Sequence, residues 1–279
     1  MHAYHRRTVL EAAVDRPREP IAAADASWSA PIFVCVLGTF RVQTAGQQTL
    51  ALRGGGKAEA LLTTLALHAS EGVRRERLID LLWPDGDPQL ASQSLNSLVY
   101  SLQRALGPEL GGVPPIVQSG GRYRLNLEGG VDVDLARFDE LVNLGDSLVN
   151  PREAAKHYVA AARLYRGDLQ VGTDVQGVIE RERLRARYLS ILSRLADLAF
   201  DVADYAGCLE YVLRLLTADA CREDAHRLAM RCYVRRGERA QALRQFRICE
   251  SVLRAEFNAP PEPATLALFE QVRLTPAEV

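Results

Sequence analysis

The side chains best suited to recognition chemistry lie along residues 89–106. Their apolar members, Ala91, Leu95, Leu98, Val99, Leu102 and Leu106, recur at three- and four-residue intervals and predict an amphipathic helix. The opposite face carries Gln93, Asn96, Ser97, Tyr100, Gln103 and Arg104, with no carboxylate among them. Amides and guanidinium groups pair with base edges, whereas a carboxylate would be repelled by phosphate, so this face suits duplex DNA. Gln93, Ser97, Tyr100 and Arg104 are placed for bases, and Asn96 and Gln103 lie at the rim, nearer phosphate. The competing reading is a solvated polar face.

Such a helix needs elements to hold it. Residues 57–70 place Ala58, Leu61, Leu62, Leu65 and Ala66 on one stripe, and residues 74–83 carry Leu78, Ile79, Leu82 and Trp83 before stopping at Pro84. Trp83 falls on the apolar stripe and is expected in the core. Beyond the third helix, I-V-Q-S-G-G-R-Y-R-L-N-L reads as a hairpin with a Gly-Gly turn. Arg122 and Arg124 share one face of it, where they could touch a DNA backbone or simply be solvated. Three helices and a basic hairpin predict a winged helix-turn-helix. Upstream, I-F-V-C-V-L-G-T-F-R-V-Q and T-L-A-L flank a turn and predict a small antiparallel sheet. Arg53 and Lys57 bracket a glycine-rich turn that could meet a phosphate or be a plain connector. It is not a Walker A loop, because Ala58 stands where that motif needs a hydroxyl.

Net charge sets a limit on this reading. Residues 31–128 hold nine Lys and Arg against eight Asp and Glu, a balance of +1, and residues 129–279 hold 21 against 23, a balance of −2. A near-neutral module has little long-range attraction for phosphate, so binding should depend on several protomers or a protein partner. The five cysteines, Cys35, Cys208, Cys221, Cys232 and Cys249, form no C-x-x-C pair, and five scattered histidines show no ligand spacing. Reduced, buried thiols are expected, with a redox switch among the last four as the alternative. No nucleophile–base set stands out, so no enzymatic activity, metal or cofactor is assigned. No apolar run is long enough to span a bilayer, and residues 9–14 are interrupted by Glu11, which predicts a cytoplasmic protein without membrane contact.

Residues 1–30 mix charge, Ala, Pro and Ser and read as a tail, with a short helical possibility at residues 8–14. After Leu127 the texture turns helical. V-D-V-D-L-A-R-F-D-E-L-V-N-L, the segment from Arg152 to Gly167, and the long stretch after Ile179 all show helical spacing. Leu195-Ala196-x-x-Ala199-Phe200 followed by Cys208-Leu209 returns as Ala229-Met230-x-x-Tyr233-Val234 followed by Ala242-Leu243. The offset, 243 − 209 = 34, is the period of tetratricopeptide helix pairs.

The order of these parts resembles the SARP-type bacterial transcriptional activators, an OmpR/PhoB-like winged helix followed by a bacterial transcriptional activator domain. The resemblance rests on L-x-x-x-L-W-P-D-x-D-P (78–88), S-L-x-x-x-V-x-x-L-x-R-A-L (94–106), G-x-Y-R-L (121–125), V-D-x-x-R-F (133–138), Y-R-G-D-L (165–169), E-R-E-R-L-R (180–185) and the ending P-P-E-P-A-T-L-A-L-F-E (260–270). It implies an α+β N-terminal winged helix-turn-helix over residues 31–129, followed by an all-α tetratricopeptide-like repeat domain over residues 130–279. It implies binding to direct repeats in double-stranded DNA as a homodimer, recruitment of RNA polymerase holoenzyme, and a polymerase-facing loop containing Asp85 and Asp87. It also implies a small stand-alone regulator without additional modules. This chain departs from the pattern at Gln103, where relatives often have arginine, and at Asp219-Ala220-Cys221, which lacks the usual proline. Two other readings stay open. The winged helix could serve protein contacts alone, or the repeat module could sense a small molecule.

Overall fold

The computed structural model describes residues 30–46, 48–52, 56–170 and 175–279. The expected tail, its short helix at residues 8–14, and Arg53 lie outside the described residues. Packing separates two compact units. One comprises the described parts of residues 23–149 and 157–188, and the other comprises those of 150–156 and 189–279. Residues 130–149 and 157–188 pack with the first unit.

The first unit opens with strands β1 (Ile32–Cys35) and β2 (Arg41–Thr44), paired antiparallel. Every residue of β1 is buried, as a central strand requires. Its other edge is covered by β6 (Val131–Val133), which runs parallel to it, with Ile32 opposite Val131. The sheet is therefore mixed. V-D-V, expected as the start of a helix, is a strand, and helix α4 (Asp134–Ser147) begins immediately after it. Residues 49–52 add only an isolated bridge, Gln43 to Thr49.

Between β2 and β6 lie α1 (Gly56–Leu67), β3 (Val73–Arg74), α2 (Arg75–Leu82), α3 (Pro88–Leu106), β4 (Ile116–Ser119) and β5 (Arg122–Leu125). All five expected apolar residues of α1 are buried. On α2 only Leu78 and Leu82 are buried, and Ile79 is half-buried. The helix stops at Trp83 because a residue before proline is pushed out of the helical region. Pro88 then opens α3 at its first turn, where no N–H is needed. Strands β3, β5 and β4 form an antiparallel sheet in that order. Ser119 pairs with Arg122, so Gly120-Gly121 is a two-residue turn, and both glycines have positive φ, 57° and 72°. Glycine takes that turn without strain, and its twist matches the strands.

The motifs V-D-x-x-R-F, Y-R-G-D-L and E-R-E-R-L-R brace this unit internally. The buried Asp134 carboxylate accepts hydrogen bonds of 2.9 Å from the backbone N–H groups of Val36 and Leu37, tying the end of β1 to the start of α4. Burial pushes its pKa up to about 6, against the opposing effect of those N–H donors. In Y-R-G-D-L, Tyr165 stacks on Tyr188 at 4.1 Å between ring centroids and donates its hydroxyl to Asp168. Helix α5 (Pro151–Leu164) follows, and from helix α6 (Val175–Asp201) Arg183 bonds Glu180 and Asp139, and Arg187 reaches Asp139 and Asn143.

The second unit contains the end of α6, then α7 (Tyr205–Ala218), α8 (Glu223–Arg235), α9 (Arg239–Phe257) and α10 (Pro263–Leu274). Leu195, Ala196, Ala199 and Cys208 are buried, as are their counterparts Ala229, Met230 and Ala242, while Tyr233 is half-buried. The 34-residue period extends to the backbone. Ala203 and Gly237, 237 − 203 = 34 positions apart, both adopt positive φ in the turn joining the two helices of a pair. The proline-free turn at Asp219 is closed by other means. Asp219 accepts the N–H of Cys221 at 3.1 Å, and His226 Nε2 donates to Ala220 O at 2.9 Å while its Nδ1 accepts from Gln245 at 2.7 Å. Helix α10 covers α9, with Phe246 and Phe269 stacked at 4.0 Å. The cysteines are free thiols, buried except for the half-buried Cys221.

Candidate nucleic-acid interface

Helix α3 starts at a defined point. Asp87 caps it by accepting the N–H groups of Gln89 and Leu90 at 2.9 and 3.0 Å, which satisfies two donors that otherwise lack partners. Six apolar residues then anchor the helix: Ala91, Leu95, Leu98, Val99, Leu102 and Leu106 are all buried. The polar residues between them must therefore face outward. Gln93, Asn96, Ser97, Tyr100 and Arg104 are exposed, Tyr100 by 62%. Their spacing of four, three and four from Gln93 to Arg104 keeps Gln93, Ser97, Tyr100 and Arg104 on one face.

Two recesses flank that face. Toward the helix N-terminus, Gln93 and Ser97 share a shallow groove of about 690 Å3 with Lys57, Trp83 and Leu90. Lys57 is brought to α3, but its ammonium donates to Leu82 O at the end of α2 and lies 5.5 Å from the Trp83 ring. Trp83 is half-buried and forms a groove wall, whereas its apolar neighbours suggested core. On the other flank, Asn96, Tyr100 and Gln103 meet the wing around a cavity of about 180 Å3 that also includes Gln118. Gln103 is half-buried, with its amide 3.5 Å from Ile116 O, so it belongs to the helix–wing junction more than to the open face.

The residue that holds this geometry was not evident from spacing. Arg75 donates to Tyr123 Oη at 2.5 Å and to Ser92 O and Oγ at 3.0 and 2.8 Å. One guanidinium thus joins α2, α3 and the wing, and its planar fork suits three fixed acceptors. The only sequence signal was the arginine-rich run that opens α2 and an aromatic in G-x-Y-R-L.

On β5, Tyr123 and Leu125 face inward and Arg122 and Arg124 outward. Arg122 is half-buried because its guanidinium donates to Gly72 O at 3.0 Å and Glu71 O at 3.4 Å, whereas Arg124 is exposed. Asp85 is exposed in the loop before α3, while one oxygen of Asp87 is occupied by the helix cap. Among the described residues, no cluster of His, Cys, Asp and Glu has metal-site geometry, and no helix is long and apolar enough to cross a membrane.

The bacterial transcriptional activator domain family matches residues 133–273, half of the chain. The fold is shared with Mycobacterium tuberculosis EmbR, solved in complex with a low-affinity phosphopeptide, at a TM-score of 0.64 and 20% identity. That match covers 88% of this chain and 65% of EmbR, so the chain spans less than two thirds of that relative. Comparison with curated protein sequences gives no match. The chain belongs to the bacterial transcriptional activator domain family.

Proposed function

We propose that the protein is a sequence-specific activator that binds direct repeats in promoter DNA as a homodimer and recruits RNA polymerase. Residues 31–129 would supply the DNA contacts, and residues 130–279 the assembly contacts. The observation that carries this reading is the exposed, carboxylate-free face of α3 beside a two-stranded wing. Gln93, Ser97 and Tyr100 would meet base edges. Asn96, Arg104 and Arg124 would meet bases or phosphates at the rim. Lys57, Gln103 and Arg122 act first as internal braces, and their DNA contacts would use the donors left over. Asp85, with Asp87 setting its loop, would face polymerase. The balance of +1 in residues 31–128 explains why a single protomer would bind weakly and a pair on adjacent repeats strongly.

The same low charge supports a second reading, in which the winged helix contacts protein alone. Selection from random DNA followed by binding over a salt series separates the two. The activator reading expects an enriched direct repeat and steep salt dependence. The protein-contact reading expects no enriched motif.

A further inference from the structure

Outside the α3 face, cations converge at the base of the wing. Arg74 of β3 and Arg122 of β5 are directly opposite in the antiparallel register, on the same face of the sheet. Like charges placed this way repel, and a two-residue strand offers little to offset that cost. Arg77, three residues further on, joins them around a half-enclosed recess of about 370 Å3, together with His68 and Gln176. Glu71 is the only carboxylate among the described residues of its lining. Three of the nine cations of residues 31–128 thus gather at one recess, although the module as a whole is nearly neutral.

The recess is also built. Gly72, at φ +67° and with Tyr123 O 2.9 Å from where a Cβ would stand, makes a turn only glycine can make. That turn presents the carbonyls of Glu71 and Gly72 to Arg122, which fixes the guanidinium against the recess wall. Arg77 is oriented from the other side, with Nη2 3.5 Å from Gln176 Oε1. Orienting the guanidinium groups beforehand lowers the entropy lost when a ligand binds.

We propose that this recess is a phosphoryl oxyanion site, with Arg74 as its principal donor and Arg77 and Arg122 as its oriented walls. Guanidinium groups match the oxygens of a phosphoryl group with paired hydrogen bonds, and partial enclosure strengthens each one. The recess is too small for a duplex and admits only a projecting group. That group is either the phosphate of a small phosphorylated ligand or one backbone phosphate of bound DNA. The small-ligand source is independent of DNA recognition by α3, whereas the DNA source rests on it.

The test titrates pyrophosphate into the full chain at low ionic strength by calorimetry and measures DNA affinity over a salt series. Wild type is compared with Arg74→Gln, Arg74→Lys and, as a control for lost charge elsewhere, Arg247→Gln on the exposed side of α9. If a small ligand is the source, wild type binds pyrophosphate and Arg74→Gln weakens it about tenfold, with partial rescue by Arg74→Lys and no change in Arg247→Gln. If a DNA phosphate is the source, pyrophosphate fails to bind and Arg74→Gln lowers the salt slope by about 0.9, the value of one phosphate contact. Pyrophosphate binding without any DNA binding would retain this site and remove the α3 reading. Equal losses in Arg74→Gln and Arg247→Gln, or no loss in either assay, would overturn the proposal.

Discussion

The outward face of α3 and the junction of β1, α4 and α6 belong to the same compact unit and use polar residues in opposite ways. At the junction nearly every polar group is engaged: Asp134 holds two backbone N–H groups, Asp139 receives two arginines, and Tyr165 is stacked and hydrogen-bonded. On α3, Gln93, Ser97, Tyr100 and Arg104 stand exposed. A polar residue inside a fold is fixed by its partners, so its identity specifies architecture. A polar residue on an exposed helix face is fixed by nothing within the chain, so its identity is available to specify a ligand. Family motifs such as V-D-x-x-R-F and E-R-E-R-L-R therefore report the fold and say little about what the α3 face would meet.

The contrast can be tested by substitution. The largest effect is expected from Asp134→Ala, which leaves the N–H groups of Val36 and Leu37 buried without an acceptor. At about 1–3 kcal/mol for each such group, thermal unfolding should fall by many degrees, and an unchanged midpoint would show that water replaces the carboxylate. Arg75→Met should come next. It removes the link between α2, α3 and the wing and should cost about 1–3 kcal/mol in stability by denaturant titration, with a loss of DNA affinity across all sequences. On the outward face the expectation reverses. Gln93→Ala should leave stability within about 0.5 kcal/mol while shifting base preference at one position by about 1–3 kcal/mol. Arg104→Ala should be equally silent in stability and should reduce affinity and the salt slope.

The smallest effect concerns pH. Burial lowers the pKa of His226 below its usual 6.5, so the unfolded chain takes up a proton that the folded chain resists. Stability from this group is present above about pH 6.5 and is lost as the pH falls through that value. Asp134, raised to about 6, acts in the opposite sense, because the folded chain is protonated first and gains stability as the pH falls toward 4. Denaturant unfolding at pH 7.5 and 5.5 should show that His226→Gln loses less stability on acidification than wild type.

Local pattern made much of this architecture readable. The expected helices at 57–70, 74–83 and 89–106 correspond to Gly56–Leu67, Arg75–Leu82 and Pro88–Leu106, because each buries one apolar stripe and α2 and α3 are bounded by proline. The 34-residue repeat was visible because small and large residues recur in register. The strand nature of V-D-V was hidden, since its partner Ile32 lies about a hundred residues earlier and a parallel pairing leaves no local signature. Arg75, Asp134 and the inward turn of Gln103 were hidden for the same reason. Each is defined by an acceptor or donor that spacing alone cannot locate. Trp83 lay on the right stripe, but it falls just past the last turn of α2, where the chain leaves the helix and only half covers it.

In the proposed function, α3 reads DNA through its outward face. The most direct test of that reading is selection from random DNA with wild type and Gln93→Ala in parallel, followed by salt-series binding to the enriched sites. An enriched direct repeat is expected for wild type, and for Gln93→Ala the same repeat spacing with relaxed preference at one position in each half. No enriched sequence with wild type, or identical preferences in both proteins, would contradict it.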